Sequence, residues 1–173
     1  MKMVKMMSAL AALFMLIPAF VSCDKDDDKN EPKPEEPTFD VSKITGTYSG
    51  SLGYSVMGFD PGIIEGSYDL KIVKDADDAD EVAVVLPECT FTPPIPQASS
   101  FTIPSLTVND VDVTEKDGVY TISEDEISIE VSGVKYTGKL TGTIKDKDAK
   151  VEYTLVPGRM PMDINFTFTG TLK

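Results

Sequence analysis

Apolar and polar positions alternate with a period of two along most of the chain after Asp40. In "MDINFTFTGTLK" the residues Met162, Ile164, Phe166, Phe168 and Leu172 interleave with Asp163, Asn165, Thr167, Thr169 and Thr171. Such alternation gives a strand one apolar and one polar face, as in a half-buried antiparallel sheet. The same logic opens the region, where Tyr48, Leu52, Tyr54 and Val56 interleave with Thr47, Ser49, Ser51 and Ser55. Between these ends the pattern predicts further strands through Tyr68, Leu70 and Ile72, then Val82, Val84 and Leu86, and then Leu106 and Val108 continuing to Val111 and Val113. Tyr120 and Ile122, Ile127 to Val131, Tyr136 to Ile144, and Val151 to Leu155 complete the set. The connections "KDADDAD", "EKDGV", "SEDE", "VSGV" and "KDKDAK" carry turn chemistry, and no segment holds a helical period over a useful length. About eight or nine short-turned strands predict an all-β, antiparallel up-and-down barrel. Gly46, Gly50 and Gly53 in the first strand and Gly170 in the last allow close strand approach, so the two ends are expected to pair and close it.

The chain before Asp40 follows other rules. Lys2 and Lys5 precede an apolar run from Met6 to Val21, then Ser22 and Cys23, the order of a bacterial export signal. The run is shorter than the roughly 20 residues a membrane-spanning helix needs, and Pro18 interrupts it. "FVSC" resembles a lipobox, which implies a signal peptide over residues 1–22 and acylation of Cys23. Cleavage after the same small residues without lipidation would instead free a soluble protein. The "DKDDDK" that follows resembles the acidic signal that sends lipoproteins of some Gram-negative gut anaerobes to the outer face of the outer membrane. It is also what a solvated charge run looks like. Pro32, Pro34 and Pro37 among acids make residues 23–39 an extended tether of about 3.1 Å per residue. The expected location is the outer membrane, lipid-anchored and facing the cell surface, the alternative being the periplasmic side, with the folded domain at 40–173.

The domain resembles the calycin-like β-barrel proteins, commonly exported lipoproteins, in "GTYSG", "VDVTEKDGVYTIS", "GVKYTGKLTGTIKD" and "MDINFTFTGTLK". The resemblance implies a lipocalin-like barrel and no settled activity. Lipocalins keep a Trp in the first strand packed by an Arg from the last. This chain has no Trp, and its one Arg, Arg159, lies in a loop, so lipocalin ligand binding is not carried over.

Charge and composition then remove function classes. The chain holds 16 basic and 29 acidic residues, and loss of Lys2 and Lys5 with the signal leaves 14 against 29, a charge of −15. Such a surface repels phosphate backbones, which excludes nucleic acid as a partner. Histidine is absent, which removes the usual base for a Ser or Cys nucleophile and the commonest zinc ligand. Acids in the strands, such as Asp112, Glu130 and Asp163, share parity with the polar faces, so no catalytic residue, enzyme activity or cofactor is expected. With Cys23 acylated, Cys89 has no disulfide partner and reads as a small buried hydrophobe among Val84, Val85, Leu86 and Phe91. Asp75, Asp77, Asp78 and Asp80 could gather calcium ligands, but they lack the glycine and terminal glutamate of an EF-hand loop, and an acidic hairpin turn is the commoner meaning.

Three loops stand out. "VMGFDPGII" contains Met57, Phe59, Ile63 and Ile64; "PECTFTPPIPQASSFTIP" contains Phe91, Ile95 and Phe101 among five prolines; "VPGRMPM" contains Arg159 and Met160. Prolines confine these to rigid loops at barrel ends, where their apolar side chains either plug the barrel or form a mouth. Two functions follow. One is a non-catalytic binding module whose mouth takes a small apolar or glycan-like ligand. The other is a structural or interaction protein with a fully packed barrel that docks on an envelope partner. Inward Tyr48, Tyr68, Phe166 and Phe168 favour a filled interior.

Overall fold

The computed structural model describes residues 39–56, 62–76, 78–93, 97, 99–158 and 162–173. Among them a short 3-10 turn, Val41–Lys43, leads into β1 (Gly46–Val56), β2 (Gly62–Lys74), β3 (Glu81–Leu86), β4 (Cys89–Phe91) and β5 (Phe101–Ile103). The chain continues through β6 (Leu106–Lys116), β7 (Val119–Val131), β8 (Val134–Lys145), β9 (Asp148–Pro157) and β10 (Ile164–Leu172). Eight strands close a barrel in the order β1-β10-β9-β8-β7-β6-β3-β2, and β4 with β5 forms a separate two-stranded ribbon.

Closure runs through the chain ends, as their glycines predict: β1 pairs with β10 from Tyr48 opposite Leu172 to Val56 opposite Ile164. Gly50 lies opposite Gly170, and a Cβ on Gly50 would sit 1.9 Å from the Thr169 carbonyl oxygen, so the strands approach there only because the side chain is missing. The alternating apolar residues point inward. Tyr48, Leu52, Leu70, Ile122, Leu140, Phe166 and Phe168 are all buried, and the interior is filled by side chains.

Every second connection of an up-and-down barrel lies at the same end. The β1–β2, β3–β6, β7–β8 and β9–β10 connections share one end, here end A, and the three proline-rich or apolar loops singled out in the sequence are among them. The acidic turns β2–β3, β6–β7 and β8–β9 share the opposite end B, where the chain also enters the barrel. End B is sealed by that entering segment. Val41 and Ile44 are buried, the Tyr48 hydroxyl donates to the Ile44 carbonyl at 2.8 Å, and Phe39 meets Tyr120 edge-on at 6.1 Å between ring centres. The turn is fixed by Asp40, whose carboxylate accepts from the Ser42 backbone N–H at 2.9 Å, and hydrogen bonding from the Ser42 side chain and then from that N–H lowers the Asp40 pKa.

Three expectations are corrected. "SEDE" is not a turn: β7 runs unbroken from Val119 to Val131, with a register shift between Glu124 and Ile127 that makes this stretch a β-bulge. "PECTFTPPIPQASSFTIP" is not loop throughout, because it contains β4 and β5. Tyr68 keeps the inward parity but is only half-buried, its hydroxyl donating to the Glu65 carbonyl at 3.1 Å.

Candidate functional site

The β3–β6 hairpin decides what end A can do. Its ladder ends with Leu86 opposite Leu106 and resumes as Cys89 opposite Ile103 and Phe91 opposite Phe101, the same register after a two-residue interruption on each side. Pro87 and Pro104 fall in those interruptions, where each withholds a ladder N–H. Ser105 bridges the break by donating its hydroxyl to the Leu86 carbonyl at 2.8 Å. Beyond the break the ribbon turns inward across the barrel mouth, with Cys89, Phe91 and Ile103 buried and Thr90 and Thr102 exposed, their hydroxyls 2.8 Å apart.

Phe91 is the plug. Its ring centre lies 4.5 Å from that of Tyr54, 6.0 Å from Phe101 and 6.0 Å from Phe166, and Phe166 stacks on Tyr153 at 4.9 Å. The Tyr54 hydroxyl donates to the Thr92 carbonyl at 2.9 Å, tying the ribbon to β1. Burial pushes the Cys89 thiol up to about 12, with a smaller push from Glu88, so this cysteine is a neutral apolar filler with no activating base. Burial likewise raises the Tyr153 phenol.

Of the residues picked from the sequence, Phe91 and Phe101 come together, in a closed mouth. Ile63 is not in a loop: it lies on the outer face of β2, 78% exposed, while its neighbour Ile64 points inward. Met57, Phe59, Ile95, Arg159, Met160 and Asp77 lie outside the described residues. Asp75, Asp78 and Asp80 occupy the β2–β3 turn, with the Asp78 backbone N–H donating to Asp75 at 3.4 Å. Among the described residues no three His, Cys, Asp or Glu side chains converge to hold a metal ion. Asp112, Glu130 and Asp163 are exposed, as their parity predicts.

Two structural features went unread in the sequence. One is the ribbon, signalled only by the three-residue alternations "CTF", two residues after Pro87, and "FTI", directly before Pro104. The other is a seam in the wall between β6 and β7, where pairing stops at Asp112 opposite Ser123 although both strands continue.

A crystal structure from Bacteroides fragilis NCTC 9343, provisionally named an outer membrane protein, is similar over 75% of this chain at 26% identity, with a TM-score of 0.61. The match takes in 51% of that protein, so the present chain spans about half of its length. No curated protein matches the chain. The calycin-like β-barrel domain model matches residues 44–171, which takes in β1 to β9 and all of β10 except Leu172. The chain belongs to the calycin-like β-barrel domain family.

Proposed function

We propose that the protein is a non-catalytic interaction module of the cell envelope, anchored by a lipid on Cys23, whose packed barrel presents its end A loops to a partner protein. The observation that carries this is Phe91, whose buried ring occupies the mouth that a barrel ligand would use. The similarity to the B. fragilis protein supports an envelope location, and the "DKDDDK" after Cys23 supports display on the outer face of the outer membrane. The exposed strand carboxylates and the missing histidine support a role without catalysis. A small apolar or glycan-like ligand in the mouth is less well supported, because the ribbon would first have to lift.

Two measurements on the full chain test the proposal. Photo-crosslinking residues at Met57 and Met160 in the end A loops should form adducts with the same envelope protein, while one at exposed Thr143 should form none. Titration with a fluorescent fatty acid should show no saturable binding. Saturable binding without loop adducts would put a ligand in the mouth and overturn the packed-barrel proposal.

A further inference from the structure

Part of the barrel wall lacks a ladder, because β6 and β7 part while both are still within their strands. β6 and β7 form ladder pairs from Asp112 opposite Ser123 to Lys116 opposite Val119, yet β6 reaches back to Leu106 and β7 runs on to Val131. Where they part lies a depression of about 200 Å³ lined by Thr107, Asn109, Asp110, Glu124, Glu126 and Ser128, among others. On its other side β7 is paired with β8, from Ile127 opposite Gly138 to Val131 opposite Val134. Among the described residues its seam-side backbone groups over those five residues therefore have no ladder partner, the condition under which a strand edge takes up a further strand.

The chemistry of the seam selects what could add there. Asp110, Glu124 and Glu126 stand on its lips, Glu81 and Asp112 lie on the neighbouring wall, and Asp78 and Asp80 in the β2–β3 turn add to the same field. The carboxyl of Glu81 is held above its usual range by burial and then by Asp78, Asp110, Asp112 and Asp80, so the band is short of compensating cations. Glu130 lies opposite Lys135 in the β7–β8 ladder and so adds less to the field. A second copy of the chain would bring the same acids and, without the signal, 14 basic against 29 acidic residues, a charge of −15 that opposes edge-to-edge pairing. The bulges also set where addition can occur. Asp110 has φ 55, and β7 shifts register between Glu124 and Ile127, which leaves Ile127–Val131 as the regular stretch of edge.

We infer that the seam between β6 and β7 is a docking site for an extended basic segment of a partner protein, which adds a strand to the edge of β7 at Ile127–Val131 while its Lys or Arg side chains meet Asp110, Glu124 and Glu126. This surface is on the barrel wall and is independent of the end A loops, so the loop crosslinks above can fail while it stands.

A fluorescein-labelled Lys-Val repeat octapeptide tests it against the full chain. Anisotropy should show saturable binding that weakens with salt. Hydrogen exchange should show new protection of the Ile127–Val131 amides. The same peptide N-methylated at alternate residues keeps its charge but cannot pair and should not bind. Asp110→Asn with Glu126→Gln should weaken binding about fivefold to tenfold, the scale of two partly exposed charge contacts. Asn is tolerated at positive φ, and Glu126 is exposed, so folding is retained. No binding, equal binding of the N-methylated peptide, or an unweakened variant would overturn the proposal. So would protection of the same amides by raised protein concentration alone, which would make a second copy the occupant.

Discussion

If the ribbon is a plug held chiefly by one ring, then Phe91→Ala should free it while the eight-stranded ladder survives. Burying a phenylalanine and then truncating it costs about 3–5 kcal/mol, the upper part of the range applying where neighbours cannot collapse. Phe91 is 5% exposed and meets three rings, each worth about 0.5–1.5 kcal/mol beyond area burial. The ribbon is joined to the barrel through the interrupted, proline-bearing strands and tied to it by the Tyr54–Thr92 hydrogen bond, so it can lift and limit the loss to about 3 kcal/mol. For a domain of this size that lowers the melting temperature by roughly 10 °C. Calorimetry reads the loss, and thiol labelling reads where it falls. In a Cys23→Ser background Cys89 is the only thiol, 3% exposed on the inward face of the ribbon. A ribbon opening made easier by about 3 kcal/mol should raise the Cys89 labelling rate about a hundredfold at temperatures far below melting. A variant that melts earlier yet keeps Cys89 as protected as the parent would show that the ribbon opens only with the whole barrel. The separate-plug reasoning would then be wrong.

Gly138→Ala should cost more than about 2 kcal/mol in denaturant melts, because its Cβ would lie 1.8 Å from the Thr154 carbonyl oxygen of the facing strand. Gly133→Ala, at φ +72 with nothing within 4 Å, should cost only about 1 kcal/mol for the left-handed backbone, and equal losses would contradict the packing account. The Cys89 thiol keeps its proton up to about pH 12 in the fold but loses it near its ordinary value when unfolded, so the folded state binds more protons between the two. Stability should therefore fall as pH rises above about 9, and Cys89→Ala should flatten the first part of that fall, before the raised Tyr48 and Tyr153 phenols contribute in the same direction. Cys23→Ser should move the protein from the membrane pellet to the soluble fraction after a carbonate wash, and retention in the pellet would rule out a lipid tether. Alanine at Asp24, Asp26, Asp27 and Asp28 should leave the anchor in place but shield the domain from protease added to whole cells, unless the acids have no part in export.

The barrel was legible because each strand has one buried face. Ile164, Phe166 and Phe168 predict both a strand and which side of it is inside, and the glycines of the first and last strands predict that these two meet. Phase breaks were harder. A bulge adds a residue, so the buried positions step from Val108 to Val111 and from Ile122 to Ile127. At "SEDE" that slip coincides with acidic residues that also favour turns, and local chemistry alone does not separate the two. Ile63 was misplaced because adjacent isoleucines in a strand must point to opposite sides, and one of them is left on the outer face. The candidate site was least legible. Proline density in "PECTFTPPIPQASSFTIP" marks a bend but not its direction, which depends on what the barrel mouth offers to fill.

Two arrangements compete for the tip of the β3–β6 hairpin. A straight hairpin would extend the wall and gain ladder hydrogen bonds with β2 and β7, each worth a net 0.5–1.5 kcal/mol or so against the water it displaces. An inward hairpin forgoes those bonds and buries Cys89, Phe91 and Ile103, at about 1.5–3 kcal/mol for each large apolar side chain, and it also dries the faces of Tyr54 and Phe166. The seam edges are at the barrel surface, where water satisfies their N–H and C=O groups, so the unmade bonds cost little. An open mouth would leave aromatic rings wet, and water cannot compensate that. Burial therefore prevails, and the filled mouth and the buried thiol follow together from the bend at Pro87 and Pro104. A barrel closed in this way has its interior filled by its own side chains, which is why both proposed partner surfaces are placed outside it, at the rim and along the seam.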